Sequence, residues 1–353
     1  MTPSKNTHIN VLVVTWNSGV ELYAALNAIR IACDKARQRY QSSALSMTYE
    51  ILVWDNSSTD ASINELTDAT DLHLIRHKKN IGFAAANNAL AMMCESEDWL
   101  WLVNPDTIAD PNALLELMKA SDDYPGFACF GSTLVNSSQR EKLDGLGDVV
   151  HISGLAWRDG FGQIAVAEKS FAKPYECFAV CGAALFIRKA DFDAVGGFDE
   201  AFFCYQEDVD FGFRLRLMRN RALQIPSAVV YHVGSHSTGG HQSDFSVYHG
   251  RRNLVWCYIK NMPSVLFWLC LPLHLALNFL DIIYFTYRGQ GRVIWSAKWN
   301  AVKNLPNILR KRKLIQSQRS ATSWDIWRAL DKRIWPWGFK SIRAKSSRRF
   351  DGD

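Results

Sequence analysis

Ile9-Asn10-Val11-Leu12-Val13-Val14-Thr15-Trp16-Asn17-Ser18-Gly19 is the stretch from which the fold can be read. Residues 9–15 are almost continuously apolar and rich in β-branched side chains, the composition of a strand buried on both faces. The polar Thr15-Trp16-Asn17 falls at its carboxyl end. The arrangement recurs three times. Residues 51–54 run into Asp55-Asn56-Ser57, residues 72–75 precede Asn80-Ile81-Gly82-Phe83, and residues 99–103 run into Asn104-Pro105-Asp106. Helix-like segments lie between. Leu22, Leu26, Ile29 and Cys33 keep helical spacing, residues 83–94 are Ala-rich, and Asp110-Pro111 is a strong helix start. This alternation predicts an α/β fold with a Rossmann-like, mostly parallel sheet flanked by helices. The carboxyl ends of such strands form one rim, where ligands bind. Polar residues from four strand ends then converge on one crevice, as in an enzyme or a nucleotide binder.

The chain continues in the same style. Residues 131–174 are rich in Gly, Ser and Asp and predict an irregular flap with some short strands. Residues 182–188 and 222–232 read as strands. A short helix between them ends at Gly196-Gly197, where glycine supplies a left-handed cap. Residues 207–219 read as a helix opening on Glu207-Asp208-Val209-Asp210. The first unit is expected to end near Arg252, dividing the chain into residues 1–252 and a helical extension, 253–353.

Residues 264–285 are the most apolar stretch, but contain Pro272, His274, Asn278 and Asp281. The length suits a membrane span, the polar residues do not. The reading preferred is a helix lying in the membrane interface, or a re-entrant helical hairpin, over a true span; a buried packing helix is the bland alternative. Two amphipathic candidates follow, one carrying Trp295, Trp299, Val302 and Leu305, the other Trp324, Trp327, Leu330 and Ile334. Tryptophan among Lys and Arg is the composition of an interfacial helix.

Charge is unevenly placed. From Arg288 onward there are 17 Lys/Arg against 4 Asp/Glu (+13), and the remainder has 23 against 31 (−8). An acidic front part argues against a nucleic-acid binder, while a basic tail suits an anionic membrane surface. Residues 1–9 are polar and the next apolar run is strand-sized, so no secretory signal is expected. The 8 Cys residues show no paired framework. Cys177 and Cys181 lack the partners of a zinc site, so reduced core cysteines are expected.

Chemistry is assigned by position. Asp55 ends the second strand, where its carboxylate could meet a nucleobase or ribose, although Asp-Asn-Ser-Ser is also ordinary turn chemistry. Asp106 follows the fourth strand, a suitable place to hold a hard divalent cation through oxygen. Glu207, Asp208 and Asp210 crowd the first turn of one helix. They complement its dipole, and Asp210 can pair with Arg214. One of them can also serve as a general base whose pKa is raised by Phe202, Phe203, Tyr205 and Phe211. His232 ends a strand within Tyr231-His232-Val233-Gly234-Ser235-His236-Ser237, and could ligate metal or touch a diphosphate, though a lone His is more often structural.

In order along the chain, Thr15-Trp16-Asn17, Val53-Trp54-Asp55-Asn56-Ser57-Ser58-Thr59-Asp60, Asn80-Ile81-Gly82-Phe83, Asn104-Pro105-Asp106-Thr107, Gly196-Gly197-Phe198-Asp199-Glu200 and Glu207-Asp208-Val209-Asp210-Phe211 resemble the family 2 glycosyltransferases of the GT-A fold, and among them the bacterial rhamnosyltransferase branch. The resemblance covers about residues 10–253, including Arg252-Asn253. It implies a metal-dependent, inverting hexosyltransferase of surface-polysaccharide synthesis. The donor would be a nucleotide-diphosphate sugar, with L-rhamnose from dTDP-rhamnose the first expectation and a UDP-hexose or galactofuranose the alternative. The implied cofactor is Mg²⁺ or Mn²⁺. By position, Thr15, Asn17, Asp55, Asn80, Gly82, Asn104 and Asp106 would bind the donor, Asp106 with His232 the metal, and Asp208, with Glu207 next to it, would be the base. The acceptor would be a lipid-linked or other glycan, and the enzyme would sit on the cytoplasmic face of the inner membrane, peripheral or monotopic. One departure is Asn104, where the family's Asp-x-Asp motif has its first acid. Asparagine can still ligate through its carbonyl.

Two other classes compete. A dinucleotide-dependent oxidoreductase needs Gly-x-Gly-x-x-Gly after the first strand, and the chain has Thr15-Trp16-Asn17-Ser18-Gly19 there. A non-catalytic membrane-surface adaptor would keep the fold without metal-dependent nucleotide-sugar binding.

Overall fold

The computed structural model describes residues 6–41, 46–64, 66–164, 173–233 and 243–333. The first part runs β1 (Asn6–Thr15), α1 (Glu21–Gln41), β2 (Ser46–Asp55), β3 (Leu72–Arg76), α2 (Gly82–Ala91), β4 (Trp99–Val103), β5 (Thr107–Ala109) and α3 (Ala113–Asp123). Then come β6 (Cys129–Asn136), β7 (Leu143–Gly145), β8 (Asp148–Val150), β9 (Ala156–Arg158), β10 (Tyr175–Cys177), β11 (Ala184–Arg188), α4 (Lys189–Ala194), α5 (Glu207–Leu217) and β12 (Ala222–His232). Helices close the chain: α6 (Asp244–Asn261), α7 (Ser264–Tyr287), α8 (Gly291–Lys303), α9 (Leu305–Gln318) and α10 (Ser323–Ala329).

One mixed sheet carries the order β10-β12-β6-β11-β4-β1-β2-β3. β1 pairs in parallel with β2 and β4, β2 with β3, and β6 with β12, while β11 runs antiparallel to β4 and β6. The continuous apolar run of β1 has the expected cause. Ile9, Val11 and Val13 pack into a core with Leu22, Leu26 and Ile29 of α1, and Leu12 and Val14 into a second core with Ala84 and Leu90 of α2. Alternate residues of a strand face opposite sides, so a strand covered twice is apolar throughout. Asn10, the polar residue inside the run, donates to Asp98 Oδ2 at 2.7 Å.

The extension shares a core with α5 and the turn that precedes it. Phe202, Val209, Phe213 and Leu217 pack with Trp256, Met262, Cys270, Ala301, Ile308 and Ile326. Arg252, the expected unit boundary, lies in the middle of α6, which contributes to that core. Charges are buried at the same seam. Lys260 Nζ lies 2.5 Å from Asp199 and 2.7 Å from Asp210, and Asp210 also accepts from Arg214 at 2.8 Å.

Several expectations are corrected. The flap was expected to begin at 131, but β6 carries the sheet through Cys129–Asn136. Gly131-Ser132-Thr133 looks loop-like, yet Gly131 is needed because a Cβ there would meet Gln224 and Val180 at 2.8 and 2.9 Å. Helix α7 is one continuous 24-residue helix despite Pro272, not a hairpin. Its buried stripe is Leu266, Cys270, His274, Leu277, Asp281 and Phe285, so two of the discordant polar residues face inward. Asp281 pairs there with Arg251 (3.1 Å) and Lys298 (3.2 Å). The outer face keeps Trp268, Leu269, Leu273, Phe279, Leu280 and Ile283 exposed, joined by Trp295 and Trp299 of α8. The second amphipathic candidate divides: Trp324 is exposed, while Trp327 and Leu330 pack inward. Gly234-Ser235-His236-Ser237, Ile334, Trp335 and Trp337 lie outside the described residues.

Candidate active site

A cavity of about 840 Å³ opens at the carboxyl ends of β1, β2 and β4, a size that suits a small-molecule ligand. Thr15, Trp16, Asn17, Asn56, Asp60, Asn80, Gly82, Asn104, Asp106, Glu207, Asp208 and His232 all line it. The convergence expected from the strand ends is therefore present.

At one end, the loops after β1 and β2 are laced together. Asn17, at φ 49°, takes the left-handed conformation that asparagine tolerates. Its Oδ1 accepts from Thr59 N at 2.7 Å and Asp60 N at 3.3 Å, and its own N–H donates to Ser58 Oγ at 2.9 Å. Gly19 N donates to Asp60 Oδ2 at 3.0 Å. Asn56 ties in the third loop, accepting from Ile81 N at 3.2 Å and donating to Gly82 O at 3.3 Å. Asp55 is not on the cavity wall. Its side chain is buried behind the turn, accepting from Ser58 N at 3.0 Å, and the acid that lines the cavity here is Asp60. The turn reading of Asp55 is what the geometry displays.

His232, the last residue of β12, pairs across to Thr107 of β5 and so stands beside Asp106. Its Nδ1 lies 2.7 Å from Asp144 Oδ2, and its Nε2 faces Asp106 Oδ1 at 3.4 Å. Arg158 Nη1 holds the same Asp144 oxygen at 2.6 Å. Burial alone would raise the Asp106 carboxyl, but contact with His232 holds it below its usual range. Burial would lower the His232 imidazole, but Asp106 and Asp144 push it up to about 9.

Would these residues suit a divalent cation? Asp106 Oδ1 is buried and, among the described residues, makes no well-formed hydrogen bond; its neighbour is His232 Nε2 at 3.4 Å. A carboxylate on the far nitrogen of a histidine is the usual device for aiming the near nitrogen at a metal. No cluster of three or more ligating side chains is present among the described residues. The set fits Mg²⁺ or Mn²⁺, which bind through one or two protein groups and complete their shells with phosphate oxygen and water.

Three further carboxyls line the cavity at α5 and β8. Asp208 is half-buried, accepting from Gly182 N at 3.0 Å through Oδ2 and from Val209 N at 2.8 Å through Oδ1. Glu207 is buried and Asp148 is buried; desolvation, then the charge of Asp208, push both well above the carboxylate range. Asp210 is fully buried in its pairing with Arg214 and Lys260 and takes no part in the cavity. The predicted i,i+4 pair is real. Asp208 is therefore the acid of the Glu207-Asp208-Val209-Asp210 turn that is open to a ligand and braced by backbone.

Sequence reasoning missed Asp60, Asp144, Asp148 and Arg158. Three of them lie in the segment read as an irregular flap, where Asp and Gly are also plain turn residues. The pairing of β8 with β9 brings Asp148 and Arg158 to the cavity, and the pairing of β7 with β6 sets Asp144 behind its wall, against His232 and Arg158.

The sequence model of glycosyl transferase family 2 matches residues 10–195. The N-acetylglucosaminyl-diphospho-decaprenol L-rhamnosyltransferase of Mycobacterium tuberculosis is 27% identical over 248 residues, covering 65% of this chain and 77% of that protein. GalNAc-T7, solved with UDP, GalNAc and Mn²⁺, superposes with a TM-score of 0.56 at 15% identity over 73% of this chain, which spans 48% of its length. The mannosyltransferase PcManGT of Pyrobaculum calidifontis, solved with GDP-Man and Mn²⁺, gives a TM-score of 0.50 at 16% identity, covering 90% of this chain and 86% of that one. With the mixed sheet, the rim cavity and this match over more than half its length, the chain belongs to glycosyl transferase family 2, in the rhamnosyltransferase-like branch, and has the GT-A fold.

Proposed function

We propose that the protein is an inverting glycosyltransferase that moves L-rhamnose from dTDP-rhamnose to a hydroxyl of a lipid-linked glycan at the cytoplasmic face of the inner membrane. The observation that carries this reading is the single cavity lined by both Asp106–His232 and Asp208. The laced loops around Asn17 and Asp60 suit the nucleoside, with Asn80, Gly82 and Asn104 along the donor's path and Asp55 bracing the turn behind. Asp106 and His232 would hold the cation, which stabilises the negative charge of the departing diphosphate. Asp208 removes the proton of the acceptor hydroxyl. The hydroxyl oxygen forms its bond to the anomeric carbon as the bond to the diphosphate oxygen breaks. Attack comes from the face opposite the leaving group, so configuration inverts without a covalent enzyme intermediate. Burial and the charge of Asp208 push the carboxyls of Glu207 and Asp148 upward, which disfavours further negative charge beside the diphosphate.

The sugar and the lipid-linked acceptor are proposed from the mycobacterial relative's name, and the dTDP carrier from the resemblance of the motifs. The exposed apolar face of α7, with Trp295 and Trp299 of α8, supports placement on a membrane. Helix α7 is also long and apolar enough to cross one by length and composition. Its inward pairing of Asp281 favours lying in the interface, as does the basic composition after Arg288.

The test is transfer from a panel of nucleotide sugars to a polyprenyl-diphosphate-linked N-acetylglucosamine, with and without Mn²⁺, reading anomeric configuration by NMR. Metal-dependent transfer with inversion from dTDP-rhamnose supports the reading. Retention of configuration, or turnover unaffected by chelator, overturns the mechanism. Preference for a UDP-sugar overturns the donor.

A further inference from the structure

The loop that leads into Asp208 is held in a shape its own backbone disfavours. Between a 3-10 turn at Glu200–Phe202 and α5, three non-glycine residues have positive φ: Phe203 at 66°, Tyr205 at 65° and Gln206 at 68°. Phe203 has ψ −64°, and Cys204 N donates to Phe202 O at 2.8 Å. That is the strained form of the γ-turn, with its i→i+2 hydrogen bond. Such residues are strained, and persist only where their surroundings over-determine them.

The surroundings that do so come from α6. Asn253, fully buried, directs Nδ2 at three carbonyls of this loop: Phe202 (2.9 Å), Cys204 (2.9 Å) and Tyr205 (2.7 Å). An amide has two hydrogens, so one of them is shared. Arg252 donates Nε to Asn253 Oδ1 at 2.9 Å, which fixes the amide's orientation, and Nη2 to the carbonyls of Ala201 (3.2 Å) and Phe202 (3.0 Å). Two adjacent side chains thus satisfy four carbonyls of residues 201–205. On its other side the loop meets the donor wall. Phe203 O accepts from Ala84 N at 3.2 Å, and a Cβ on Gly82 would stand 2.6 Å from that same oxygen.

We propose that Arg252 and Asn253 are positioning residues for catalysis. They clamp the strained 201–206 loop so that Asp208 at its end and Gly82 at its flank keep fixed places around one substrate. The clamp touches no reacting atom and acts through the loop. The inference rests on Asp208 being the base. A small misplacement of a reacting group can cost about 10²-fold in rate, so the clamp should be legible in turnover rather than in binding.

The experiment uses the full chain with Asn253→Ala, with Arg252→Lys as a milder variant should the first fail to fold. Amide hydrogen exchange, donor-nucleotide binding by calorimetry with Mn²⁺, and kcat are read together. Expected for Asn253→Ala is a kcat lowered about 10–100-fold, a nucleotide affinity changed by less than about two-fold, and faster exchange confined to residues 202–208. Arg252→Lys, which keeps charge but loses the fork, is expected to shift the same readouts less. An unchanged kcat overturns the proposal. So does parallel loss of kcat and nucleotide binding with faster exchange everywhere, since that is general destabilisation. Asp208→Asn run alongside separates the two readings: if it retains turnover the base assignment fails, while the local exchange still judges the clamp.

Discussion

Asp208 Oδ2 accepts a hydrogen bond from the backbone N–H of Gly182 at 3.0 Å, so the candidate base on α5 is braced by the segment that leads into β11. A carboxylate held by backbone keeps its place when its charge is removed. Asp208→Asn is therefore expected to keep the fold and donor binding while losing about 10²–10⁴ in kcat. Glu207→Gln, replacing a buried acid whose charged form desolvation and Asp208 disfavour, is expected to retain most activity. The reverse ranking in a steady-state transfer assay would move the base to Glu207.

Asp106 and His232 set up the second prediction. Asp106→Ala should abolish any Mn²⁺ enhancement of nucleotide-diphosphate binding seen by calorimetry. Asp144→Asn, which loosens the grip on His232 Nδ1, should weaken that enhancement by about 10–100-fold. Equal enhancement in wild type and in the Asp106 variant would remove this pair from the metal.

Membrane attachment is better tested at the surface than by truncation. Removing residues 262–353 would strip Ala301, Ile308 and Ile326 from the core that supports α5. Trp268→Glu together with Trp299→Glu, both at exposed positions, should leave nucleotide binding intact and release the protein from anionic vesicles in flotation. Wild type should also loosen as salt rises, because each Lys or Arg near anionic lipid contributes roughly 1 kcal/mol that salt screens. A wild-type protein that never floats with such vesicles would sink the membrane reading.

Lys260 is 1% exposed and contacts both Asp199 and Asp210. Lys260→Met leaves those buried carboxylates short of positive charge, and breaking such a pair typically costs about 3–5 kcal/mol. Chemical denaturation should show a loss of that order. A loss below about 1 kcal/mol would mean that Arg214, paired with Asp210, and Lys311, paired with Asp199, carry the network without it.

Acid should weaken the fold for a stated reason. Burial, then Arg252, lowers His249 to about 4, and burial lowers His274 to about 4. The unfolded chain takes up these protons near pH 6.5, before the folded one does. Their contribution to stability is complete above that pH and is lost as pH falls toward 4. Thermal unfolding between pH 7 and 4 should decline less steeply in His249→Phe. An equal slope in wild type and variant would show that His249 does not titrate as its environment requires.

How much of this was legible in the sequence depends on where the information is stored. β1 could be read because burial on two faces writes itself as a continuous apolar run, and Asp106 and Asp208 because each follows an element boundary. β6 could not be, since Gly131 is required by the approach of Val180 and Gln224, residues far off in sequence. Asp144 and Arg158 look like turn residues until β9 brings Arg158 to Asp144. Asp55 stands at the right strand end, but that its Oδ1 takes the Ser58 N–H, and that Asp60 is the acid facing the cavity, is set by the fold of the turn. For α7 the average apolarity misled where the period did not. Residues 266, 270, 274, 277, 281 and 285 trace one helical stripe, and the polar members lie on it.

That stripe has a mechanical consequence. A helix of 24 residues is about 36 Å long. Bound along its inner edge to the protein body and seated flat in a bilayer, α7 would displace lipid from one leaflet only. The area of that leaflet would grow and that of the other would not, a mismatch relieved where the surface already curves toward the enzyme. Activity on a lipid-borne acceptor would then respond to vesicle diameter and to lateral pressure at constant lipid chemistry, so that small, loosely packed vesicles support faster transfer than large flat ones.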